Sequence, residues 1–263
     1  VWHYNEPFAD SSAIPTYYVS KLAREHVTVI LTGDAGDENF AGYPRYQFDG
    51  DYQLSNKLSY ALNRFDRRNP LTGNYFNPDD PFGTIKRLAG LSQERLLYYL
   101  RITHFHEGYQ KNLYTPEFRK ILGNKFTVDW MLDIYRDSDA KNFLDSTLDL
   151  DLRLYLPDTL MTKVDIASMT HSLEARAPML DHKFLEFTAT IPSRLKLNNE
   201  KVAKYIFKKA VEPYLPHDVI YRKKMGFGVP IDHWFRNELK EMTYDILLSR
   251  KAIERGYFKS SYI

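Results

Sequence analysis

The 263 residues carry 36 Lys and Arg against 34 Asp and Glu, a formal net charge of +2, so no whole-chain field marks a nucleic-acid binder. A hydrophobic share of 43% and an aromatic share of 15% suit one large domain or two small ones around a buried core. Cysteine is absent, which excludes disulfides, thiolate metal sites and a thiol nucleophile and makes a reducing, cytoplasmic setting the default.

No run reaches the roughly 18 apolar residues of a membrane helix, and no charged segment followed by an apolar one opens the chain. It therefore reads as neither membrane-bound nor secreted. The first residue is Val1, not Met, and the sequence opens in mid-pattern, so a fragment of a longer protein is expected.

Taken in chain order, PTYYVSKLAREH over 15–26 predicts a short helix, with proline suited to the first turn. VTVIL over 27–31 predicts a strand buried on both faces, as in a parallel sheet. Residues 66–83 are dense in turn formers and read as a long loop. Helical patterns follow around 92–103, 115–122, 128–136, 142–155, 158–171, 182–190, 200–214 and 230–249. The fold class is therefore α/β but predominantly helical, with 1–50 carrying the sheet portion and 51–263 mainly helical. A buried parallel strand needs hydrogen-bonded neighbours. No other stretch matches it, so its partners are expected upstream of Val1.

Thr32, Gly33, Asp34 and Asp37 stand just past that strand, where open α/β sheets bind ligands. Glycine lets backbone approach a ligand closely, and Asp37 suits a hard cation such as Mg²⁺ whose other ligands are phosphate oxygens. The competing reading makes Asp34 a helix cap, with Asp37 and Glu38 matching the helix dipole.

In LPDTLMTKVDIASMTHSLEARAPMLDH, 156–182, a helix from Pro157 would put Asp165, Ser168 and Ser172 on one face. That face points either into a cleft or into a buried polar network between helices, and Arg176 has Glu174 or Asp181 within reach for a structural ion pair. Lys201, Lys204 and Lys208 form a helical stripe, and a lysine beside an anion site offsets charge on a leaving group; a solvated helix face is the plainer alternative. His104 and His106 lack further ligands at metal spacing. Met225 to Pro230, MGFGVP, has glycine spacing without a preceding strand and reads as a turn, not a dinucleotide fingerprint.

Together EPFADSSAIPT, TGDAGDENFAGY, KVDIASMTHSLEARAPMLDH, EKVAKYIFKKA and GFGVPIDHWFR resemble, in order and over nearly the whole chain, the synthetase domain of glutamine-hydrolysing asparagine synthetase. The resemblance implies an adenine-nucleotide α-hydrolase fold of the PP-loop type. It implies activation of aspartate by ATP and Mg²⁺ to β-aspartyl-AMP, release of pyrophosphate and attack by ammonia, supplied from glutamine by a glutaminase domain. On that basis Thr32 and Gly33 contact ATP, Asp34 serves adenylate formation and proton removal from ammonia, Asp37 holds Mg²⁺ and pyrophosphate, and Lys204 stabilises the pyrophosphate and intermediate. Glu38 is the structural member of the acidic group.

Three departures stand out. Asp34 is a methylene shorter than the glutamate found in many members, Asn39 replaces an aliphatic residue and Ala41 a glycine. They leave open a relative that amidates or cyclises another carboxylate, or a helical interaction module without catalysis. No SGGxDS phosphate loop occurs in these residues, so the chain alone is expected to be inactive. A homodimer is left open.

Overall fold

A computed structural model describes residues 2–47, 98, 102–103, 110, 112–123, 127–223 and 225–263. The chain divides into two compact units, one of Val1–Gln47 with Ser138–Ile231 and the other of Phe48–Asp137 with Asp232–Ile263. The expected loop at 66–83, most of the helix expected at 92–103 and the His104–His106 pair lie outside the described residues.

In the first unit, α1 (Ala13–Arg24) leads into β1 (Val29–Leu31), then the single-turn α2 (Gly36–Asn39). Helix α3 (Phe143–Leu150) passes without a break into a π-helical stretch, Asp151–Met161, and on into α4 (Thr162–Met169). The sequence pattern divides this rod at Pro157. The structure instead widens the turns around that proline, which has no N–H to donate, and Thr162 closes the wide turn by donating its backbone N–H to the Pro157 carbonyl.

After α4 the chain forms β2 (Glu174–Arg176), which pairs parallel to β1 with Val29 opposite Glu174, Ile30 opposite Ala175 and Leu31 opposite Arg176. Two expectations are corrected here. One neighbour of β1 lies within the chain, and β1 is not buried on both faces: Leu31 is 75% exposed and Val29 is also exposed. β2 escapes sequence reading because it is three residues long, and its Glu174 and Arg176 pair with each other in solvent at 2.6 Å.

The unit continues with α5 (His182–Thr190), α6 (Ser193–Lys196), α7 (Tyr205–Val211) and α8 (His217–Ile220). Asp181 caps α5 by accepting from the Lys183 and Phe184 amides. A core of Ala35, Leu156 and Leu160, with Leu152, Tyr155, Met161, Met179 and Leu180 around it, packs the α2 turn onto the π-helical stretch. The site segment thus rests on apolar contacts.

In the second unit Thr115 caps the helix Pro116–Leu122 through its hydroxyl, which accepts from the Phe118 amide at 3.2 Å. Tyr114 and Phe258 stack in an antiparallel bridge, and Thr127–Asp137 buries Val128, Met131, Leu132 and Tyr135. The continuous helix expected at 230–249 is instead two, Ile231–Arg236 and Lys240–Leu247. No helix among the described residues is long and apolar enough to cross a membrane.

Candidate active site

At the carboxyl end of β1 the backbone of Thr32 donates to the Arg176 carbonyl at 2.8 Å, extending the β1–β2 ladder by one residue before the chain turns away. The Thr32 hydroxyl is buried without a hydrogen-bond partner, a state that calls for a ligand or water. Above Gly33 a Cβ would meet nothing within 4 Å, so the backbone there faces open space. Both residues line a cavity of about 470 Å³, a volume in the range of small-molecule sites. Asp10, Ser12, Asp34, Asp37, Tyr43 and Lys163 contribute to its wall.

The helix-cap reading of Asp34 does not hold. The residue flanking α2 is Ala35, in the left-handed region at φ 68°, and no side chain caps the turn. Asp34 is half-buried on the cavity wall, and among the described residues its carboxylate has no hydrogen-bond or ion-pair partner.

Asp37 faces a lysine from the far side of the sequence: Lys204 Nζ lies 3.1 Å from Asp37 Oδ1. Gly42 permits this approach, and Gly36 leaves room for Met179 beside it. A Cβ on Gly42 would collide with Asp37 Oδ1 and Lys204 Cε, and one on Gly36 would stand 2.9 Å from Met179 Sδ and 3.7 Å from Lys204 Nζ. The expected helical stripe of Lys201, Lys204 and Lys208 is corrected, because α7 begins only at Tyr205. Lys201 and Lys204 sit before it in left-handed conformations, at φ 60° and 55°. The Lys204 amide donates to the Phe40 carbonyl at 3.0 Å, and this tertiary bond pins the lysine over the α2 turn.

Left-handed non-glycine residues cost of order 1–3 kcal/mol each and persist where surrounding structure over-determines them. Ala35, Ala41 and Lys204 are three such residues around Asp37. Ala41, at φ 53° and fully buried, accounts physically for the glycine usual at that place.

Glu38 also lines the cavity, although it is only 1% exposed. Burial pushes its pKa up, the hydrogen bond from Tyr43 opposes this, and the charges of Asp37 and Asp151 add to the rise. Burial and the Glu38 charge drive the Tyr43 phenol far above its ordinary value, so it stays protonated as a donor. Asn39, also buried, is satisfied at both ends: its amide donates to the Met179 carbonyl at 2.9 Å and its oxygen accepts from the Thr188 hydroxyl at 3.0 Å.

Of the face expected from Asp165, Ser168 and Ser172, only Ser168 reaches the cavity. Asp165 and Ser172 are exposed, Ser172 beyond the end of α4 at φ 56°. Lys163 takes the inward place, with Nζ 3.1 Å from Asp10 Oδ2 and 2.9 Å from Ser12 Oγ. The sequence assigns Lys163 no role, and its one signal there is a lysine within a largely apolar helical run. Arg176 pairs with Glu174, not Asp181, and does not line the cavity.

The carboxylate–lysine pair, whose Asp37 lines a cavity at the end of a parallel strand, stands where open α/β folds bind ligands. The profile of the asparagine synthase family matches residues 1–263, and the chain belongs to that family. It is 32% identical over 270 residues to glutamine-hydrolyzing asparagine synthetase 1 of Bacillus subtilis, covering 100% of this chain and 40% of that protein. A putative glutamine-hydrolyzing asparagine synthetase of Mycobacterium bovis is 30% identical, over 96% of this chain and 37% of its own length. Amidase chry2 of Gibberella zeae is 20% identical over 97% of the chain and 40% of its own length. The chain thus spans about two fifths of the length of these relatives.

Proposed function

We propose that this chain forms the amide-ligating part of an asparagine synthetase. An aspartate side-chain carboxylate attacks the α-phosphorus of ATP, pyrophosphate leaves, and ammonia then attacks the acyl carbon and expels AMP. The Asp37–Lys204 pair at the end of β1 carries this reading, because adenylation needs a cation aimed at the departing pyrophosphate. Lys204 offsets that charge. The unpartnered Thr32 hydroxyl and the open space over Gly33 suit close contact with the nucleotide. Asp34, with a carboxylate on the cavity wall, suits orientation of the incoming ammonia and acceptance of its proton.

The fit to Mg²⁺ is a fit of chemistry, not of a formed cage. No group of three or more His, Asp or Glu that could hold a metal occurs among the described residues. Mg²⁺ in nucleotide sites commonly takes one or two carboxylates plus phosphates and water, and Asp37 would be its carboxylate here. The ion would supply charge neutralisation on the phosphates when bound.

This sequence has no SGGxDS stretch, so on this reading further pyrophosphate contacts come from outside these 263 residues. The isolated chain is then inactive, ammonia reaches the site from a glutaminase domain, and the setting is cytoplasmic.

The test is pyrophosphate release by the whole protein that carries these residues, with ATP and a panel of carboxylates. Release that depends on aspartate and is lost in Lys204→Met supports the assignment. Release with a different carboxylate instead assigns the site to a related amide- or lactam-forming enzyme, a reading that the shortened Asp34 and the similarity to amidase chry2 keep in view.

A further inference from the structure

The MGFGVP segment, which sequence reasoning sets aside as a turn, lies at the same cavity: Met225, Gly226 and Phe227 line it together with Thr32, Gly33 and Asp34. Met225 is 89% exposed and Phe227 55% exposed, so two large apolar side chains stand in water at a cavity that also carries carboxylates and hydroxyls. Neither glycine flanking Phe227 is crowded, since a Cβ on Gly226 or Gly228 would meet nothing within 4 Å. Among the described residues, no backbone hydrogen bond joins 222, 223 or 225–228 to the rest of the unit, whereas the neighbouring Tyr221 amide donates to the His217 carbonyl. Few backbone hydrogen bonds make local opening cheap.

We propose that Phe227, with Met225, covers the acyl-adenylate and keeps water from it until ammonia arrives, a role that rests on the function proposed above. An acyl-adenylate is open to two nucleophiles. Ammonia forms the C–N bond and releases AMP with asparagine; water forms a C–O bond at the same carbon, breaks the same acyl–phosphate bond and returns aspartate with AMP. The two outcomes differ only in what reaches the carbon, and exclusion of water is a general task of segments that close over reactive intermediates. The aromatic ring and the thioether offer apolar, polarisable surface to a purine or acyl chain. Phe227 thus acts by covering the intermediate, not by transferring a proton.

The test measures pyrophosphate released per asparagine formed by the whole protein at saturating ammonia. The ratio should be near one for the wild type, rise at least about threefold in Phe227→Ala and return toward one in Phe227→Leu. A ratio unchanged in a folded Phe227→Ala overturns the proposal. If that variant fails to fold, the unaltered protein decides: a non-hydrolysable aspartyl sulfamoyl adenosine should slow peroxide oxidation of Met225 severalfold while Met242, also exposed, serves as internal control. Equal oxidation of Met225 with and without bound analogue overturns it. Absence of any aspartate-dependent pyrophosphate from the wild type instead removes the proposed function, and the cover role with it.

Discussion

Asp37 and Lys204, distant in sequence, meet 3.1 Å apart because residue 42 has no side chain. The Gly42 amide also donates to the Asp37 carbonyl at 2.8 Å, so the backbone that must stay bare is the one that holds the aspartate in place. Gly42→Ala should therefore drive the pair apart and cost about 1–3 kcal/mol of stability as an overpacking change. Denaturant unfolding reads the stability loss. Pyrophosphate release should fall by about a hundredfold or more, the scale of losing one aimed charge in a preorganised site. A variant with wild-type activity would show that the pair does not matter.

The buried amide of Asn39 invites a comparison of two substitutions. Asn39→Ala leaves a hole and strips the Met179 carbonyl of its donor, and should destabilise by about 1–3 kcal/mol. Asn39→Leu strips the same carbonyl but refills the volume, and Thr188 can still donate to the Leu185 carbonyl, so its loss should be smaller by the cavity share. Melting temperatures of the two variants check this ordering.

Arg45 lies between two aromatic rings, 4.1 Å from the centroids of both Tyr43 and Tyr155, and pairs at 2.8 Å with the fully buried Asp151. Tyr46 donates its hydroxyl to the same Asp151 oxygen. Arg45→Met leaves a buried carboxylate with the phenol alone and should cost about 3 kcal/mol. Combining it with Asp151→Asn should recover part of that loss, measured as a double-mutant cycle.

Two carboxylates make stability depend on pH in opposite senses. Burial would raise Asp10, but hydrogen bonds from the Ser12 hydroxyl and amide and the charge and hydrogen bond of Lys163 outweigh it and hold its pKa below 3.8. Its contribution is therefore present above that value and lost as pH falls through the lower folded pKa. Glu38, raised above 4.5, does the reverse: the fold disfavours its ionised form, and stability is gained as pH falls through the folded pKa toward the unfolded one. Glu38→Gln should melt above the wild type at neutral pH, with the difference shrinking toward pH 4.5. Asp10→Asn should melt below it at neutral pH and converge in stronger acid. Melting curves from pH 3 to 8 separate the two groups, and a reversed order at neutral pH would contradict the assigned directions.

Some of this was legible in the sequence for local reasons. The aliphatic run ending at Thr32 and Gly33 marks a strand terminus, and the capped, periodic stretch at His182–Thr190 forms the helix its pattern predicts. What could not be read depends on distant partners. β2 is three residues held by pairing with β1, and EKVAKYIFKKA has helical propensity from its first lysine. The Lys204 amide instead bonds to Phe40, which delays the helix to Tyr205. Lys163 replaces Asp165 on the cavity side because α4 follows wide π-helical turns that shift its phase from the one a regular helix would give.

Adenylation at this site can be followed through a single oxygen atom. With aspartate labelled with ¹⁸O in its side-chain carboxylate, attack on the α-phosphorus leaves a carboxylate oxygen on the phosphate when ammonia displaces AMP. The whole protein should therefore yield AMP carrying one ¹⁸O per asparagine formed, with unlabelled pyrophosphate, and Lys204→Met should suppress both. Label found in inorganic phosphate, or asparagine formed with unlabelled AMP, would contradict adenylation at this site.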